Sequence, residues 1–383
     1  MKFRSVLPVG VVAIMLPALA ACGSSSGDDT AAPGHSAKVT VTAADGCTID
    51  NTTLAAGAIN FSIENKDATG VTEIELLSDQ RIVGEKENLP PGFSGGFAVN
   101  VPAGQYTLYC PGASTERVAI TVTGEAAAAS TDNADLAKQA TEGYSKYVST
   151  QVGYLLAAVK DLNTALHGTD LAAAQRAYAQ ARPFYEKIEP VAESFTIGDD
   201  DLDAAIDARA DEGVSPTELT GFHRIEYGLF EVKSLNGLGP IGDGLVSNVA
   251  KLQQKVDGLT YQPFELANGA QGLLDEVAAS KITGEEERYS HIDMLDFANN
   301  DEGAEQAFAQ LTPLLMKIDP ELTKTIQKEF AALDKLVDTY RDANEPSGYK
   351  LYTALTAKDK QQLAAAIKAV QEPLSRVANK VAN

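Results

Sequence analysis

The apolar period of this chain changes once along its length, and that change divides it into two kinds of structure. Between Ala37 and Gly124, β-branched and apolar residues come in short runs: Val39-Thr40-Val41-Thr42, Ile59-Asn60-Phe61-Ser62-Ile63, Gly70 to Leu77, Gly95 to Val101, Tyr106 to Cys110 and Val118 to Val122. Several alternate with period two, and Pro90-Pro91-Gly92 and Pro102-Ala103-Gly104 punctuate them, as expected of half-buried strands joined by tight turns. The spacing predicts a small β-sandwich over 37–124. An Ala-, Ser- and Thr-rich linker, 125–134, follows. Beyond it the period lengthens: Leu171, Ala174, Tyr178, Ala181, Tyr185 and Ile188 step by three and four, as do Leu363, Ile367, Val370, Leu374, Val377 and Val381. Side chains at those steps return to one helix face, so 135–383 is predicted to be an all-α antiparallel helical bundle. Asp319-Pro320 marks the start of a late helix, and Ser215-Pro216-Thr217-Glu218 precedes another.

The first residues read as an address. Lys2 and Arg4 precede an apolar run from Val6 to Ala18, and Leu19-Ala20-Ala21-Cys22 follows. The run is too short to span a bilayer stably. It matches a bacterial lipoprotein leader, with 1–21 removed and Cys22 lipidated as the first mature residue. Residues 22–36, rich in Gly, Ser, Asp and Ala, then form a flexible tether. The expected location is the extracytoplasmic face of the cell membrane, held by the lipid. The formal net charge is −22, and losing Lys2 and Arg4 deepens it by two. Such a field disfavours nucleic acid and attracts cations.

Within the helical part, Gly221-Phe222-His223-Arg224-Ile225-Glu226 places an imidazole and a carboxylate three residues apart, on one helix face. Leu219, Phe222, Ile225 and Leu229 form a core stripe beside them. That puts His223 and Glu226 at the edge of a buried interface, where an unpartnered carboxylate is costly. Metal sites in bundles are built from inward carboxylates and histidines on facing helices. Glu186, Glu189 and Glu193 lie at i, i+3 and i+7 along the edge of a neighbouring predicted helix, and Asp293 and Asp296 offer a third acidic edge. Each of these acids, taken alone, is also compatible with a solvated surface role. His167, before Gly168, reads as a helix C-terminal residue.

Three stretches carry a resemblance: Arg182 to Phe195, Gly221 to Leu229, and Arg288-Tyr289-Ser290-His291 with Asp296-Phe297. Together they resemble the imelysin (peptidase M75-like) domain of the EfeO-type family of iron-uptake proteins. Cys47, Glu85-Lys86-Glu87-Asn88, Pro91-Gly92-Phe93-Ser94 and Gly104-Gln105-Tyr106 resemble the cupredoxin-like domain that precedes imelysin in that family. The resemblance implies an extracytoplasmic iron-binding component that works with a membrane iron permease and a haem-dependent peroxidase. It implies a metal site in the helical part at His223, Glu226, Glu186 and Glu189; Asp293 is added from helical placement. Carboxylates with one imidazole suit Fe(II), Fe(III) or Zn(II). On this view the β-domain captures or oxidises iron and the bundle holds it.

Cys47 and Cys110 admit two readings. In an exported chain a cysteine pair most simply forms a disulfide. The resemblance offers a copper or iron site of Cys47, Cys110 and Glu73, with Glu75 nearby. Blue-copper geometry needs two histidines beside the cysteine, and 37–124 contains none. Two further function classes stand beside iron binding. A metallopeptidase of the zincin type has two histidines at i and i+4 with a Glu between, whereas His223 has its Glu at i+3. An acidic-polysaccharide-binding lipoprotein would have to overcome the negative charge of the chain.

Overall fold

The computed structural model describes residues 34–382, apart from 72, 80, 87–88, 126–130, 196–200 and 208–214. The expected leader, Cys22, most of the tether, part of the linker and Glu87-Asn88 lie outside these residues. From Pro33 onward the strands and helices form one compact unit.

Nine strands come first: β1 (Ser36–Thr42), β2 (Gly46–Ile49), β3 (Thr53–Ala55), β4 (Gly57–Asn65), β5 (Ile74–Ser78), β6 (Arg81–Lys86), β7 (Phe93–Val101), β8 (Gly104–Tyr109) and β9 (Arg117–Thr123). They make a four-stranded sheet, β2-β1-β4-β7, and a five-stranded sheet, β3-β9-β8-β5-β6. The period-two pattern decides which face is dry: Ile59, Phe61 and Ile63 of β4 are buried, whereas Asn60 and Ser62 between them are exposed. Phe61 stacks on Phe97 across the β4–β7 pair at 4.9 Å. Cys47 on β2 and Cys110 just after β8 are joined in a disulfide, Cα to Cα 6.2 Å, which ties one sheet to the other. β2, β3 and β6 were not foreseen, because the first two are too short to show a period and β6 carries Arg81, Gly84, Glu85 and Lys86.

Eleven α-helices follow among the described residues: α1 (Thr131–Leu166), α2 (Leu171–Glu186), α3 (Glu189–Glu193), α4 (Leu202–Asp207), α5 (Gly221–Glu226), α6 (Gly239–Val256), α7 (Pro263–Glu276), α8 (Asp293–Ile318), α9 (Pro320–Val337), α10 (Ala357–Leu374) and α11 (Val377–Val381). α1 packs along α2, α6 and α8, and α8 also contacts α7 and α9. Asp319 caps α9 by accepting from Leu322 N, with Pro320 in the first turn, where its missing N–H costs nothing. His167 lies one residue past α1, its ring 3.1 Å from the exposed Asp243. Among the described residues no helix is long and apolar enough to cross a membrane.

The sheets dock on the helices through specific pairs. Arg81 meets Glu265 at 2.7 Å and Lys86 meets Asp275 at 2.5 Å. Asn268 donates to Ala98 O, and Ile82 N to Ser194 O. A cavity of about 550 Å³ lies along this junction, lined by Arg81, Phe97, Tyr261 and Asn268 among others. His223 and its neighbours lie elsewhere, in a packed interior.

Candidate metal centre

Five short stretches of chain bring ionisable side chains together. On α2, Tyr178, Arg182 and Glu186 recur every four residues and all point into the core. α2 stops at Glu186, and α3 restarts at Glu189 with Pro190 in its first turn. Pro190 has no N–H to continue the ladder, so the expected single acidic edge of Glu186, Glu189 and Glu193 is broken into two pieces. α4 delivers Asp207 at its last residue. α5 begins at Gly221 with φ +58°, and a Cβ there would overlap the carbonyl oxygen of Ile206. Only glycine allows both the left-handed turn and this approach, which sets Asp207 beside His223. The hydroxyl of Thr220 also donates to Ala204 O at 2.6 Å, holding α5 to α4. Glu286 and Glu287 come from the segment before α8.

His223 is 3% exposed. Its Nδ1 lies 3.2 Å from Glu226 Oε2. The other oxygen of Glu226 accepts from the backbone N–H groups of Tyr289 at 2.7 Å and Ser290 at 2.8 Å. Glu226 is thereby saturated on both sides, and it fixes the ring rather than reaching past it. The far nitrogen, Nε2, faces Asp207 Oδ1 at 3.3 Å and Glu286 Oε1 at 3.6 Å. It has no partner at hydrogen-bonding geometry. Asp207, His223 and Glu286 each offer one ligand atom, all within 4.8 Å of one another and all buried. This is a buried, convergent set of one imidazole nitrogen and two carboxylates of the kind that binds a cation.

Arg182 and Lys281 neutralise part of the surrounding charge. The Arg182 guanidinium pairs with Glu186 and Asp207, lies 3.0 Å from Glu287 Oε1 and reaches Glu286 and Asp296 at 3.5 Å each. Its plane also lies 5.2 Å from the Phe222 ring. Glu287 further accepts from Tyr178 at 2.8 Å and from the Ser290 hydroxyl. The acids still outnumber the bases. Burial, then the carboxylates of Glu226 and Glu186 respectively, hold Glu287 and Asp296 well above the usual carboxylate range. Asp207 goes the other way: burial raises it, but Arg182 and His223 outweigh burial and hold it below. Burial by itself lowers the His223 ring; the negative charge of Asp207, then the close contacts with Asp207, Glu226 and Glu286, outweigh it and push the ring well above its ordinary value.

The structure thus brings only part of the expected set to His223. Glu226 contacts the ring, whereas Glu186 faces Arg182 and Lys281. Glu189 is held by Lys281 at 3.0 Å and Asn300 at 3.1 Å. Asp293 accepts from Glu287 N at 3.2 Å, capping that loop, and burial lifts its carboxyl to about 7. Asp207, Glu286, Arg182 and Lys281 were missed. Asp207 sits in an acid-rich stretch with no spacing relation to His223, and Glu285-Glu286-Glu287 reads as a solvated run. His291, at φ +60°, donates its backbone N–H to Glu287 O, and its ring has no place in the group.

In the β-region the sulfurs of Cys47 and Cys110 are bonded to each other, so a metal set needing both thiolates with Glu73 has none to use in this state. Glu75 and Glu85 sit directly across the β5–β6 pair. Burial, then Glu85, raises Glu75 to about 9; burial, then Glu73, raises Glu85 to about 8. Glu73 is raised by burial and by Glu276 of α7.

The imelysin (peptidase M75) family model matches residues 140–377. The iron uptake system component EfeO of Yersinia pestis is 37% identical over 331 residues, covering 85% of this chain and 86% of its own. The component of the same name from Escherichia coli O157:H7 is 35% identical over 364 residues, 94% and 95% of the two chains. That of Escherichia coli O6:K15:H31 is 35% identical over 379 residues, 98% and 96%.

Proposed function

The chain belongs to the imelysin family, and on that premise we propose that it is the iron-binding component of an uptake system, holding its ion between Asp207, His223 and Glu286. The observation that carries this is His223 Nε2: buried, without a hydrogen bond and facing two carboxylates, with Nδ1 tied to Glu226. A carboxylate on one imidazole nitrogen fixes the tautomer and turns the other toward a metal. Glu226 is therefore a positioning residue, and the ligands are the ring, Asp207 and Glu286. One imidazole and two carboxylates accept Fe(II), Fe(III) or Zn(II); iron is chosen because the relatives are named as iron uptake components.

The rest of the proposal follows from the sequence. Cys22 carries a lipid that holds the chain at the extracytoplasmic face of the cell membrane, and the ion passes to a membrane permease, with a haem-dependent peroxidase as the further partner. The role is binding and delivery. Anaerobic equilibrium dialysis against Fe(II) tests the site: wild type should retain one ion that the Asp207→Asn, His223→Gln double variant loses. Equal retention by the two proteins would sink the assignment.

A further inference from the structure

The cavity of about 550 Å³ between sheets and helices is walled by faces unlike those that close a core. A helix covering a sheet normally turns an apolar stripe toward it. α7 instead brings Asn268, Gln271 and Asp275 to the wall, with Gly269 and Gly272 among them. On the sheet side β4 offers Asn60 and Ser62, and β7 offers Gly95 and Gly96. Glycine is a poor helix former, and packing does not call for it in α7. Among the described residues, a Cβ at Gly269 or Gly272 would meet only the Pro190 side chain, at ordinary contact distances of 3.8 and 3.9 Å. What the two glycines do is keep the cavity open. Asn60, Ser62 and Ser375 are exposed, so the cavity reaches the surface there, while Phe97, Tyr144 and Tyr261 line it as buried rings.

The polar groups of the wall define what fits. Both of its cations are matched by acids, Arg81 by Glu265 and Lys86 by Asp275. An anionic ligand would meet Glu193, Glu265 and Asp275, and a cationic one Arg81 and Lys86. Three buried atoms still lack a hydrogen bond among the described residues: the Tyr261 hydroxyl, Arg81 Nε and Gln271 Oε1. Tyr261 is only 7% exposed, so water does not readily serve it. The Arg81 guanidinium lies 5.9 Å from the centre of the Tyr261 ring, which puts two donors close together. A ligand hydroxyl can accept from such donors and give its own hydrogen to the Gln271 oxygen. Apolar rings with a few convergent polar groups are the usual make-up of a small-molecule site.

We propose that this cavity binds an uncharged polyhydroxy compound of sugar size, held by Tyr261, Arg81 and Gln271 between the sheets and the helices. The assignment is independent of the His223 group, which lies elsewhere, so either can fail alone.

Saturation-transfer difference NMR on the full-length chain, with glucose, maltose, trehalose and myo-inositol as probes, tests this. At least one should bind, and Gly272→Leu, whose side chain fills the cavity, should abolish its signal. Leucine is the better helix former, so the melting temperature of that variant should not fall. Tyr261→Phe removes one hydroxyl and should weaken the same probe roughly 2- to 12-fold. Glucuronate and glucosamine, which add a charge, should bind more weakly than the uncharged probe. Binding of none of the four, a signal that survives Gly272→Leu, unchanged affinity in Tyr261→Phe, or equal binding of glucuronate overturns the proposal. If Gly272→Leu does not fold, Tyr261→Phe and the charged sugars decide in the same way.

Discussion

Glu226→Gln separates a ring-positioning acid from a metal ligand, because glutamine keeps the shape and removes half of the acceptors. In the wild type one oxygen of residue 226 faces His223 Nδ1 and the other takes two backbone N–H groups. A glutamine can turn its oxygen toward the ring or toward the backbone, not both. With the oxygen on Tyr289 and Ser290, its amide N–H faces Nδ1. The metal-free ring adapts by releasing its Nδ1 proton, keeping the one on Nε2 that faces Asp207 and Glu286, and accepting at Nδ1. The loaded ring cannot, since Nε2 must give its lone pair to the ion, so a donor then faces a donor. A buried unsatisfied group costs about 1–3 kcal/mol, and about 1.4 kcal/mol is a factor of ten, so affinity should fall roughly 5- to 140-fold. That agrees with the roughly 10- to 100-fold loss usual for residues that orient a ligating histidine. Competition for Fe(II) against a chromophoric chelator, without oxygen, gives the ratio directly. Unchanged affinity would show that Glu226 does not set the ring. A loss larger than that of Asp207→Asn would make it a ligand, and the account of the site would be wrong.

Three other outcomes are expected. Arg182→Met strips the guanidinium from five acids and should destabilise the metal-free protein by about 3–5 kcal/mol in urea unfolding, with a smaller difference when an ion is bound. Glu75 has a folded pKa of about 9, raised by burial from 4.5. Its contribution is therefore complete below the unfolded value and is lost as pH rises toward 9. Glu75→Gln, which keeps the neutral shape, should raise the melting temperature more at pH 8 than at pH 5; an equal change at both would contradict the burial argument. Cys110→Ser opens a link spanning 63 residues and should cost about 4 kcal/mol, while Fe(II) affinity at His223 stays unchanged.

How far the sequence revealed the fold depended on the length of the periodic segments. β4 and α9 are long enough for a period or a cap to declare them, and the stripe Leu219, Phe222, Ile225 and Leu229 is buried as read. β3, of three residues, has no period to detect. The site was legible at His223 and Glu226, since spacing within one helix turn is a local property. Asp207 and Glu286 come from segments without a stripe, and the approach of Asp207 depends on Gly221 packing against Ile206. Charge runs hid them as well: Glu285 is exposed while Glu286 and Glu287 next to it are buried. The break after Glu186 was visible only as Pro190, and it sends Glu189 to Lys281 instead of to the ring.

Anomalous scattering at the iron edge, from crystals of the full chain soaked anaerobically in Fe(II), tests the central claim most directly. The account predicts one strong peak about 2 Å from His223 Nε2, with oxygens of Asp207 and Glu286 completing the shell and Glu226 hydrogen-bonded behind the ring. A peak bonded to Glu226 instead, or located at Cys47, Cys110 and Glu73 with nothing at His223, would contradict it.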